Sequence, residues 1–120
     1  MARTDEVFID ADMKDIVKML ERVFGGDLAY TRDTGSPYLL YGRTRLLVEH
    51  HQFPDDEEAE FSRYPTLIEV RDLDQNLHRQ RKLAREVFDI LAESGLPTML
   101  WHDMQQLVDS SDPRRHSRAG

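Results

Sequence analysis

The residues best suited by type to acid–base or metal chemistry are His50 and His51, in the run Glu49-His50-His51, together with His102 and its neighbour Asp103. Imidazoles and carboxylates hold divalent ions or pass protons near neutral pH, provided the strand ends that carry them meet. The local spacing works against a shared ion. Adjacent strand residues point to opposite faces, so His50 and His51 diverge, and no H-E-x-x-H pattern occurs. A small enzyme or ligand-binding domain built on these four residues is therefore the second of two readings. A serine nucleophile has less support, because no serine lies in a G-x-S-x-G turn. Gly25-Gly26-Asp27 lacks the spacing of a phosphate-binding loop and serves better as a helix stop. With no cysteine in the chain, disulfide scaffolds, thiolate metal sites and thiol catalysis are excluded. No cofactor is expected.

The densest chemical signal is of another kind. Asp55, Asp56, Glu57, Glu58 and Glu60 form an acidic run bordered by Phe53, Phe61 and Tyr64. Such carboxylates can meet the arginines of a basic partner, with Phe61 and Tyr64 as apolar anchors. The competing account pins the aromatics to the core and leaves the acids solvated. On a later segment, Arg79, Arg81, Lys82 and Arg85 make a basic stretch in which Lys82–Glu86 and Arg85–Asp89 have the i, i+4 spacing of a solvent-facing ladder.

The formal net charge of the 120 residues is -7, and three arginines in the last eight residues leave residues 1–112 at -10. This field repels nucleic acid and favours a protein partner with a basic surface; it also serves solubility. No apolar stretch exceeds four residues, so neither a signal peptide nor a membrane span is predicted and the expected compartment is the cytoplasm.

The elements that must position these groups follow from periodicity. Val7-Phe8-Ile9 is either a first strand or the apolar entry to a helix. Met13, Ile16, Val17, Leu20, Val23 and Phe24 share one face of a helix that Asp10 or Asp12 can cap and Gly25-Gly26 ends. Strand-like segments 28–32, 38–41 and 45–50 read as an antiparallel meander. Thr66 to Asp72 alternates, with Thr66, Ile68 and Val70 on one side. A long helix from about Gln75 to Ser94 takes Asp74 as N-cap and precedes Gly95 and Pro97. Leu96 to Asp103 is a last strand, and Met104 to Val108 adds a helical turn. The predicted fold is an α+β two-layer sandwich, two helices on one face of a mixed, mostly antiparallel sheet of four to six strands, with the other face open. Residues 1–109 form the single domain and 110–120 a flexible basic tail.

The order of these parts resembles small acidic α+β immunity-type proteins of bacterial polymorphic toxin systems. The likeness lies in Phe24-Gly25-Gly26-Asp27, the meander, the acidic run leading to Phe61-Ser62-Arg63-Tyr64-Pro65, the strand Leu67-Ile68-Glu69-Val70 and the end near Trp101-His102-Asp103. It covers roughly residues 7–108, in layout, and carries over no residue roles. It implies a non-catalytic domain that binds and neutralises a toxin. A homo-oligomer joined through the open sheet face is a third option.

Overall fold

The computed structural model describes residues 3–50 and 63–112. Seven strands and two helices follow one another as β1 (Asp5–Ile9), α1 (Met13–Phe24), β2 (Ala29–Tyr30), β3 (Pro37–Tyr41), β4 (Thr44–His50), β5 (Thr66–Asp72), α2 (Leu77–Glu93), β6 (Thr98–His102) and β7 (Gln106–Ser110). They form one sheet in the order β2-β3-β4-β5-β1-β6-β7, and every neighbouring pair is antiparallel. The α+β class and the packing of two helices against a mostly antiparallel sheet are as predicted; the strand count is higher. β5 and β6 run parallel to each other, but β1 lies between them, so the β5–α2–β6 crossover straddles a strand instead of joining neighbours.

Helix α1 starts where the Asp12 side chain accepts from the Lys14 N–H at 2.8 Å, and ends at Gly25, whose φ of 70° suits a residue without Cβ. Its apolar stripe packs with α2 on Val7, Ile9, Leu46, Val48, Ile68, Val70 and Leu100 to make the main core. The sheet's other face is not bare as expected. Phe8, Met99 and Tyr64 form a second buried cluster there, flanked by Leu67, Trp101 and Leu107.

Two predictions about chain ends fail. Met104–Val108 is not helical: the chain turns at Asp103 and Met104 and returns as β7, which reaches Ser110. Nor does the fold stop at 109. The Ser111 N–H donates to the Thr98 carbonyl at 2.9 Å, and the Tyr64 hydroxyl donates to the buried Asp112 carboxylate.

The N-cap of α2 is Asn76, not Asp74. Asp74 instead accepts from Arg43 Nε at 3.0 Å and Arg79 Nη2 at 3.1 Å. Behind it, Asp72 organises the junction between sheet and helix. Its fully buried carboxylate accepts from Arg79 Nε at 2.6 Å, Thr44 Oγ1 at 3.0 Å and the backbone N–H groups of Asp74 and Asn76 at 3.0 and 2.9 Å. These donors, the Arg79 guanidinium first, hold its pKa far below the usual carboxylate range. Its contribution to stability is therefore present above pH 4 and is lost as the pH falls below that. Replacing Asp72 by Ala strands the buried donors of β4 and of the turn before α2. Chemical denaturation at pH 7 should show a loss of about 3 kcal/mol.

Candidate functional site at the carboxylate-lined end of the sheet

β1 gathers titratable groups around it, because it begins with two acids and both are buried: Asp5 is 1% and Glu6 2% exposed. The alternation of a strand sends them to opposite faces. Asp5 shares the helix side with Val7 and Ile9, whereas Glu6 shares the other face with Phe8.

On the helix side, Asp5 lies opposite His102 in the β1–β6 ladder, and His102 Nδ1 is 3.0 Å from Asp5 Oδ1. Burial pushes the Asp5 carboxyl up, and His102 opposes that shift. The contact fixes the orientation of the imidazole. On the other face, Glu6 sits opposite both Glu69 on β5 and Trp101 on β6. It accepts from Thr4 Oγ1 and, at 2.7 Å, from the Met104 N–H. Burial raises its pKa to about 7. Glu69 is paired with Arg45 at 3.3 Å, and Glu49, further along the same face, is raised by burial and then by Glu69. Asp103 accepts from the Thr4 N–H at 3.1 Å and faces Arg3 at 3.8 Å.

Glu6 thus reaches the tip of the β6–β7 hairpin, where Asp103 and Met104 have φ values of 52° and 58°. Positive φ is costly for both residue types. The bond from Met104 to Glu6 and the exchange between Thr4 and Asp103 hold them there.

The sequence-derived site residues are dispersed. His50 pairs with Thr66, which pairs with Ile9, whereas His102 pairs with Asp5. They therefore sit at opposite ends of β1 and three strand spacings apart, roughly 20 Å from one another. A site combining His50 with His102 and Asp103 is overturned by this register. Among the described residues no three ligating side chains are placed to hold a metal ion. His51, Asp55, Asp56, Glu57, Glu58, Glu60 and Phe61 lie outside the described residues. Tyr64, which the sequence offers either as an apolar anchor for a partner or as a pin to the core, is 1% exposed and belongs to the core. On α2, Arg85 reaches Asp109 at 2.7 Å more closely than Asp89 at 3.6 Å, while Lys82 and Glu86 line a groove with Tyr41, Arg43, Thr44 and Arg79.

No family model, curated protein or solved structure matches this chain. No helix among the described residues is long and apolar enough to cross a membrane.

Asp5 and Glu6 were absent from the sequence-derived set. The only local signal for them is an acid pair directly ahead of Val7-Phe8-Ile9; which partners bury them depends on β5 and β6, both distant along the chain.

The titration of Glu6 has a definite sign. Its folded-state pKa of about 7 exceeds the ordinary 4.5, so the native state binds the extra proton between those values and stability falls as the pH rises through them. The full penalty above pH 7 is about 3 kcal/mol, since one pKa unit is about 1.4 kcal/mol. Glu6→Gln should remove most of this slope. Urea unfolding at pH 5 and pH 8 should show the variant gaining on the wild type at the higher pH and roughly matching it at the lower.

Proposed function

We propose that this protein is a non-catalytic, cytoplasmic protein-binding domain of the immunity type, which neutralises a toxin by presenting an acidic surface to a basic partner. The observation that carries the reading is the distribution of charge. Within the described residues, Arg3, Arg43, Arg45, Arg79 and Arg85 are engaged by carboxylates of the same fold. The stretch joining β4 to β5 holds five acids against a single arginine, Arg63. It leaves the sheet at His50 and rejoins it beside Tyr64, whose burial fixes that end of the stretch to the second cluster.

A concentrated negative field attracts a basic surface over about one Debye length, about 8 Å at physiological salt, and accelerates encounter with it. Desolvated carboxylate–arginine contacts then slow its release. The layout resemblance to immunity-type proteins supports the same partner class.

The test uses the product of a neighbouring toxin-like reading frame as the partner. Its association with the full chain should be fast at low salt and slow by about tenfold on moving to physiological ionic strength. Changing Asp55, Asp56, Glu57, Glu58 and Glu60 to their amides should cost a several-fold drop in association rate at low salt, measured by stopped flow. An unchanged rate removes the acidic run from the interface, and absence of any complex removes the toxin-binding reading.

A further inference from the structure

Between α1 and the β2–β3 hairpin lies a groove of about 380 Å³, a volume typical of small-molecule sites. Its lining is apolar, with Met13 and Val17 from α1, Leu28 from the approach to β2 and Pro37 from β3. Tyr30, 61% exposed, forms one wall. Lys14 and Lys18 stand on the rim, four residues apart and so on the same side of the helix, about 6 Å between their Cβ atoms.

The rim charges are available. Every ion pair among the described residues uses an arginine or His102 as its cation, never Lys14 or Lys18. Glu21 is the single acid among the lining residues. In a chain of net charge -7, two neighbouring ammonium groups over an apolar floor make a local exception in sign.

The far wall is fixed in advance. The β2–β3 turn is closed by bonds from Thr31 N–H to the Ser36 carbonyl and from Gly35 N–H to the Thr31 carbonyl, both 2.9 Å. The Thr34 hydroxyl lies 2.6 Å from that of Thr31 and 2.9 Å from that of Ser36. A wall already ordered reduces the entropy lost on binding.

We propose that this groove binds a free amphipathic carboxylate, an acid with an aliphatic tail. The tail lies along Met13, Val17 and Leu28, and the anionic head meets Lys14 and Lys18. Apolar burial supplies affinity, and the paired ammonium groups select an anion over a neutral or cationic amphiphile of equal length. None of the groove's lining residues belongs to the acidic run, so its failure and that of the basic-partner reading are distinguishable.

The probe is decanoate, kept below its micellar concentration and titrated into the full chain by calorimetry, with amide chemical shifts recorded in parallel. Saturable one-to-one binding is expected, with shifts centred on residues 13–18 and 28–37. Decanol and decyltrimethylammonium should bind at least about fivefold more weakly. The double variant Lys14→Gln/Lys18→Gln, at exposed positions that leave the core untouched, should lose about fivefold in decanoate affinity while keeping its circular dichroism spectrum. Tyr30→Ala should weaken all three probes together. The proposal is overturned by the absence of saturable decanoate binding, by shifts centred elsewhere, or by decanoate affinity undiminished in the lysine variant.

Discussion

The rest of the structure depends on the burial of β1 on both faces. This strand lies between β5 and β6, the two strands that α2 connects, and its five residues are at most 2% exposed. Val7 and Ile9 complete the core under the helices, while Phe8 seeds the smaller cluster with Tyr64 and Met99. Strand geometry then gives Asp5 and Glu6 no escape to water, because each occupies the next position on a face already covered. A carboxylate in that position must be hydrogen-bonded or protonated. Asp5 meets His102 across the ladder, and Glu6 meets Thr4 and the Met104 N–H. The strain at the β6–β7 tip and the elevated pKa of Glu6 both follow from this burial.

The readable parts of the chain are those whose information is local. β5 was bounded correctly because Thr66, Ile68 and Val70 alternate with more exposed neighbours and that alternation survives in the fold. α2 was legible from its apolar face and from Gly95 and Pro97 beyond it. The β6–β7 hairpin was not. Its tip, Asp103-Met104, contains no glycine and no Asn-Gly pair, so it lacks the usual sequence signal for positive φ. Residues 4 and 6 stabilise it from the other end of the chain. Without that knowledge, Met104–Val108 looks like a helical turn. The same reasoning explains the misplaced N-cap: Asp74 and Asn76 both suit the role, and it is the attraction of Arg43 and Arg79 for Asp74 that leaves Asn76 to cap the helix.

The candidate site was legible in residue type and illegible in arrangement. His102 and Asp103 do lie in a titratable cluster, but their companions are Asp5, Arg3 and Thr4, not His50. Register decides this, and register between β1, β5 and β6 is fixed by burial of alternating apolar residues over long sequence separations. Tyr64 shows the opposite case. Its aromatic character suggested either an anchor for a partner or a pin for the chain, and the buried hydrogen bond to Asp112 selects the pin.

The two acids of β1 cannot serve one substrate. Asp5 with His102 lies under the helices, and Glu6 lies across the strand on the face that carries Glu69, Trp101 and Phe8. A proton gained or lost at Glu6 is therefore not relayed to the imidazole through space that a ligand occupies. It acts on what Glu6 touches, namely Thr4 and the strained Met104. Protonation removes a charge that is costly to bury and weakens a charge-assisted bond to the hairpin tip, so the two effects oppose one another. Desolvation is the larger in the folded protein, as the upward direction of the shift requires. The carboxylate is thus retained in a position where it lowers global stability near neutral pH while holding a local turn that the backbone alone disfavours.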